Sequence, residues 1–409
     1  LVGLWGLAAC QPGAQAPAEH VPPASVPDSA SDTLRKPVSI STDTANASIL
    51  GTEAPALDPY WNDVARLLAG LPLPADHRLG AIADYPAYKT HSQFFTRAWA
   101  VKDTQLLARL TTWAQTELTA EHTGSRNVLY PFSGPDFMTV HTLFPNAGTY
   151  VMFGLEPEGR PVDIRGFTNE QINTNLSNLR VALDDILWST FFKTNDMRVD
   201  FERYELKGAL PILLAFISRR GNQVLSVRRV KVLPNGTLAA LEPHDPTSQN
   251  PNDTLTTGME VRFKSERTSE APVQTVVYLS FNADDVHFKN NLSVARLLDK
   301  LTPATGYIKS ASYLLHNTYF SEIRNKIQAV CATILQDDSG IAYRYWPAEQ
   351  WKLRFYGRYG DLVPLFRNRY QREVAKIYQT DTTIKRLTFG LGYTNRLSNC
   401  NLMIARKQP

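Results

Sequence analysis

Two short phrases bring together residue types that do acid–base or nucleophilic chemistry, and each comes after an apolar run. Tyr130-Pro-Phe-Ser133-Gly-Pro-Asp136-Phe sets a serine and a carboxylate three positions apart, with His141 five residues further on. At the end of a strand such residues can act as nucleophile, orienting acid and base, because loops leaving a sheet carry function. The alternative is a tight turn built by glycine and proline, with Asp136 capping the next element. The turn is preferred, since spacing alone puts no base beside the serine.

The second phrase is Ile334-Leu-Gln-Asp337-Asp338-Ser-Gly. Adjacent carboxylates bind hard cations, or split into acid and base through mutual repulsion. The preferred alternative is a hairpin, with strands at 334–336 and 341–345 joined by a four-residue loop with glycine at positive φ. His316, at the end of a strand expected over 306–315, is one more candidate base. Single histidines more often only hydrogen-bond. The eight histidines are scattered, and no pair is spaced four apart. No HExxH, GxSxG, P-loop or GxGxxG pattern occurs, so no metal is expected and no cofactor is implied.

The third feature is a charge run. Residues 340–409 hold 13 Lys+Arg and 4 Asp+Glu, in a chain whose total formal charge is only +4. Trp351, Arg354, Tyr356 and Arg358 interleave aromatic and cationic side chains there. Arginine beside aromatic faces suits anionic glycans, lipid headgroups or nucleic acid. The competing reading is a half-buried strand whose arginine stems cover the rings.

The elements that must position these residues begin after an unusual leader. Leu1 to Ala9 are apolar or glycine, and Leu7-Ala8-Ala9-Cys10 resembles a bacterial lipobox, whose cysteine is acylated. No methionine or basic segment precedes it, so 1–9 is expected to be the remnant of a longer signal peptide. Residues 11–58 hold seven prolines, no aromatic residue and a net charge of −4. Such a segment buries too little apolar surface to offset its ordering entropy, so 10–58 reads as a lipidated cysteine and tether. Gln11 after the cysteine resembles outer-membrane sorting. Export disfavours nucleic acid as a partner and permits a disulfide between Cys331 and Cys400.

Residues 59–409 read as a globular domain, with halves at 59–241 and 257–409 around a Pro/Asn/Asp-rich loop. Helical periodicity covers 60–70, 92–120 and 361–378. The clearest helix is 169–191, where Thr168 and Gln171 form a capping box before an apolar stripe. Strands are expected at 127–132, 150–155, 211–217, 224–233, 259–264, 274–282 and 332–336, with short helices at 291–301 and 320–330. This is an α/β or α+β pattern, a mixed sheet with packed helices. Tyr130 and Tyr313 each precede a strand by twenty residues, a hint of two related halves that chance also explains.

The phrases at 130–137, 150–157, 334–340 and Leu387-Thr-Phe-Gly-Leu-Gly-Tyr393 resemble a family of uncharacterised bacterial lipoproteins. The resemblance implies no activity. The function expected is a lipid-anchored envelope protein on the outer membrane, acting as a binding or assembly module through a basic aromatic face toward an anionic glycan, lipid or envelope protein. The alternative is an envelope hydrolase using the acidic and histidine residues at strand ends. An enzyme requires those side chains to converge.

Overall fold

Strands buried on both faces need two helical layers, and the apolar alternation supplies them. In β1 (Asn127–Pro131), Val128 and Tyr130 face one core while Leu129 faces the other. The same split divides Tyr150 and Met152 from Val151 and Phe153 in β2 (Thr149–Gly154). The computed structural model describes residues 49–50, 57–124, 126–189, 205–242, 251–393 and 399–408. Cys10 and most of the 10–58 segment lie outside them.

The described residues contain ten strands and eleven helices. The helices are α1 (Pro59–Leu68), α2 (Pro86–Lys102), α3 (Ala108–Glu117), α4 (Thr119–Thr123), α5 (Phe137–Leu143), α6 (Asn169–Ser189), α7 (Leu210–Arg219), α8 (Asp285–Asn290), α9 (Leu292–Asp299), α10 (Ser321–Val330) and α11 (Arg372–Thr380). The remaining strands are β3 (Asn222–Val232), β4 (Leu238–Ala240), β5 (Thr257–Ser265), β6 (Gln274–Ser280), β7 (Ala304–Ile308), β8 (Cys331–Gln336), β9 (Trp351–Gly357) and β10 (Asn401–Lys407). One mixed sheet runs β4-β3-β5-β6-β2-β1-β7-β8-β10-β9. Its centre, β6-β2-β1-β7-β8, is parallel, and both flanks are antiparallel. Helices α1 to α3, α5, α6 and α7 contribute to the core on one face, and α8 to α10 to that on the other.

Residues 46–409 form one compact unit. Strands from before and after 242–256 pair directly, β3 with β5, so both proposed halves share this sheet. The chain leaves β1 for its neighbour β2 on one side, then leaves β7 for β8 on the other. The carboxyl ends of β1 and β7 therefore flank a switch point, where open α/β sheets place their ligands. The central tyrosines are Tyr130 and Tyr307, on adjacent strands with ring centroids 4.5 Å apart. Tyr313 is not in a strand, so the twenty-residue offset does not mark equivalent positions.

Local expectations meet the structure unevenly. Thr168 N donates to Gln171 Oε1 at 2.9 Å, and Gln171 N to Thr168 Oγ1 at 3.2 Å, the reciprocal capping box. Residues 211–217 are helical rather than a strand: the apolar run is α7, buried along nearly its whole length. A short run that is apolar all round fits a buried helix as well as a buried strand. Strand β7 stops at Ile308, and His316 lies in a 3-10 turn, Leu314–His316. The 341–345 strand is also absent. The antiparallel partner of β8 is β10, and Tyr343–Tyr345 is a 3-10 turn. Gln336 replaces the missing ladder: its side-chain amide donates to Ile341 O at 2.8 Å and accepts from Ile341 N at 2.9 Å. The helical pattern at 361–378 divides into a 3-10 segment, Pro364–Arg369, and α11.

Candidate functional site at the carboxyl edge of the parallel strands

Asp136 caps α5, taking Thr139 N on Oδ1 at 3.1 Å. Its other oxygen, Oδ2, accepts from three donors: Thr139 Oγ1 at 2.5 Å, Tyr130 OH at 2.9 Å and Lys309 Nζ at 2.6 Å. The Asp136 and Lys309 side chains are 1% and 2% exposed. Tyr307 OH extends the network to Thr139 Oγ1 at 3.3 Å. An ion pair this deep needs its remaining hydrogen-bonding capacity filled, and the two tyrosines and the threonine do much of that.

The next residue joins the second phrase to the first. Ser310 N donates to Asp337 Oδ2 at 2.9 Å, while Ser339 N and Oγ donate to Asp337 Oδ1 at 3.0 and 2.5 Å. Asp338 accepts from Tyr313 OH at 2.6 Å and Asn401 Nδ2 at 3.0 Å. Burial and the adjoining Asp338 carboxyl push Asp337 up to about 7, and burial raises Asp338 as well. A cavity of about 20 Å³ opens beside the pair, lined among others by Tyr343, Gln371, Tyr378 and Asn401. That is room for about one water molecule.

The 389–393 segment closes over this edge. Tyr393 OH donates to Ser310 O at 2.7 Å, and Ser312 N donates to Tyr393 OH at 3.2 Å. Gly392, at φ +74°, presses its backbone against the Asp337 carboxylate where a Cβ would collide. Four non-glycine residues nearby hold positive φ: Phe132 (56°), Ser310 (53°), Ser312 (50°) and Tyr313 (55°). Each costs roughly 1–2 kcal/mol, and such outliers gather at functional sites.

The candidates therefore separate. Asp136, Asp337 and Asp338 converge on the β7 loop, and His316 joins them, its Nε2 3.2 Å from Asp338 O. Burial holds His316 down to about 4. Ser133 is buried at the end of β1, and its Oγ donates to Gly134 O at 2.7 Å. His141 lies elsewhere, among Phe137, Tyr150 and Phe263, where burial and then Arg220 and Arg267 hold it down to about 3.

The basic aromatic residues divide between the two faces of β9. Trp351 packs into one core, edge-on to Trp346, whereas Tyr356 is buried in the other. Arg354 pairs with Glu117 at 3.2 Å beside Tyr356, whose OH also reaches Glu117, at 2.8 Å. Arg358 is exposed, with its N–H on Cys400 O. Cys331 and Cys400 are free and belong to opposite cores, so they do not pair.

Lys309, Tyr307 and Thr139 belong to the edge without having stood out in the sequence. Lys309 left one signal, a cation directly after an apolar strand. Among the described residues, no group of three or more His, Cys, Asp and Glu is arranged for a metal, and no helix is long and apolar enough to cross a membrane. Comparison with protein-family models, curated proteins and solved structures finds no match to this chain.

Proposed function

We propose that the chain is a lipid-anchored protein of the bacterial envelope that binds a small polar ligand at the carboxyl edge of its parallel strands. The observation that carries the binding reading is convergence: the loops after β1 and β8 and the 389–393 segment meet at the consecutive residues Lys309 and Ser310. Ligands of open α/β sheets bind at such switch points, and the left-handed residues hold the loops in fixed shapes. The test is thermal denaturation against a panel of phosphates, carboxylates, sugars and amino acids. A stabilising compound that loses its effect in Lys309→Met supports the reading; wild-type protein indifferent to the whole panel removes it.

The anchoring reading rests on Leu7 to Cys10 and the aromatic-free tether. Its partner is the membrane through acylated Cys10, on the outer membrane given Gln11. Globomycin, or Cys10→Ala, should block processing and shift the protein in membrane fractionation; unchanged behaviour would sink it. A further proposed partner, an anionic envelope glycan, lipid or protein, would meet exposed Arg354 and Arg358. Reversing both charges should lower retention on heparin or anionic vesicles.

A second reading, an envelope hydrolase, is favoured by Asp337 and Asp338 bordering the same small cavity. A carboxyl that stays protonated near neutral pH can serve as a general acid. Ester, phosphoester and glycoside hydrolysis would then fall in Asp337→Asn. Turnover equal to wild type would rule out this reading.

A further inference from the structure

The cations of the C-terminal stretch are of two kinds. Arg354 and Lys385 are held by Glu117, and Arg406 by Glu121. Arg367, Arg369 and Arg372 differ: among the described residues, no carboxylate pairs with any of them. All three lie on one short piece of chain, the 3-10 segment Pro364–Arg369 and the first residue of α11. The nearby acids Asp361 and Glu373 offset this charge only in part, since residues 361–376 hold four Lys+Arg and two Asp+Glu. Asp337 and Asp338 do not answer it either, because their carboxyls are taken up by Ser310, Ser339, Tyr313 and Asn401. The segment is fastened to the carboxyl edge by Phe366, whose ring lies 4.8 Å from Tyr313 and 5.0 Å from Tyr393. Gln371 fastens it again, its Oε1 accepting from Tyr343 N at 2.7 Å. Phe366 therefore packs inward, and Leu365 beside it is left 71% exposed. Among the described residues no large apolar side chain is more exposed. Tyr370, stacked on Tyr359, is exposed as well.

We infer that the Pro364–Arg372 segment rests on an anionic lipid bilayer, with Leu365 and Tyr370 entering the headgroup layer and Arg367, Arg369 and Arg372 meeting lipid phosphates. The inference deepens the proposed anionic-partner reading by committing it to lipid, and it needs no acylation. The leucine decides between the partners. A glycan offers contacts to arginine and tyrosine but nothing to a leucine, whereas a bilayer takes its side chain out of water. Tyrosine suits the same boundary, with an apolar ring and a polar tip. Arginine binds phosphate through a planar fork, and these three give up no ion pair within the protein to do so. Gln371 also lines the cavity at Asp337 and Asp338, so this contact sets the candidate site beside the headgroups.

The experiment uses the full chain with Cys10→Ala, so that no acyl group contributes, and vesicles of phosphatidylcholine with or without about a third of phosphatidylglycerol. The protein should sediment with the anionic vesicles and not with the neutral ones. Replacing Arg367, Arg369 and Arg372 together by Gln should lower that partition at least about tenfold, since each cation near such a surface is worth several-fold. Leu365→Ser, which leaves the charge unchanged, should lower it about fivefold. Unchanged melting temperatures would show that these surface variants still fold. A second readout reports insertion directly. Cys331 and Cys400 are buried, so in the Cys10→Ala protein a thiol-reactive, polarity-sensitive dye labels Leu365→Cys at that position. Its emission should shift to the blue on anionic vesicles, while the same dye on Lys89→Cys, exposed on α2, should not respond. Equal partition of the parent and the triple variant, or no shift at position 365, overturns the inference. If heparin retains the protein while anionic vesicles do not, the lipid inference fails and the anionic-partner reading stands. If neither retains it, both fail.

Discussion

The carboxyl edge of β1, β7 and β8 and the basic stretch around β9 invite opposite expectations. The stretch at 340–409 is conspicuous in composition, yet the pleat sends Trp351 to one core and Tyr356 to the other. Lys309 is inconspicuous, yet the fold sets it beside a buried carboxylate, Asp136. Residue density along a chain thus says little about convergence in space. In a strand, neighbours point apart, whereas the ends of parallel strands gather distant loops.

The two regions should differ most at Asp136. Asp136→Ala removes a helix cap and leaves Lys309 buried without its carboxylate, so a loss of about 3–5 kcal/mol is expected in urea denaturation. Arg354→Ala, at a half-exposed side chain, should cost less than about 1 kcal/mol. Similar losses at the two sites would erase the distinction.

A pair of glycines gives the next largest difference. Gly221 and Gly392 have nearly the same φ, +75° and +74°, but only Gly392 sits against another group, the Asp337 carboxylate. Gly221→Ala should cost roughly 1 kcal/mol for the left-handed backbone alone. Gly392→Ala should cost more by the displacement of Asp337. Equal midpoints for the two variants in denaturant would show that the 389–393 segment does not clamp the edge.

Acid titration separates the buried histidines from Asp337. Native His141 titrates near 3, and His91 and His316 near 4, all below the unfolded value of 6.5. The unfolded chain therefore binds more protons as pH falls below about 6.5, and stability drops toward pH 4. Asp337 acts in the opposite sense. Its raised pKa makes a contribution that is full below the unfolded carboxylate value and is lost as pH rises through about 7. His141→Phe should flatten the stability slope between pH 6.5 and 4; an unaltered slope would contradict the burial of the His141 ring.

The smallest effect expected is an absence of reaction. Burial pushes both thiols up to about 12. Neither Cys331 nor Cys400 should take up iodoacetamide in the native protein at pH 8, and both should do so in denaturant. A mass gain of two hydrogens on reduction of the unlabelled protein would overturn their placement in opposite cores.

Much of the framework was legible in the chain. The capping box at Thr168 and Gln171 and the period-2 alternation of β3 are local, because they depend on residues within one or two turns. The run at 211–217 was not, since burial on every side erases the periodicity that separates helix from strand. The loop at Asp337 was misleading for a related reason. Asp-Asp-Ser-Gly has hairpin composition, but the partner strand comes from residues 401–407, which no local pattern announces.

By itself, then, the sequence determined the mixed α/β character, most element positions and the turn chemistry of the site loops, all set by short-range sterics and patterning. Only the tertiary structure decided which loops share an edge and which polar residues are buried there. Lys309 looks like any other lysine until packing removes its water, and its pairing with Asp136 answers that loss.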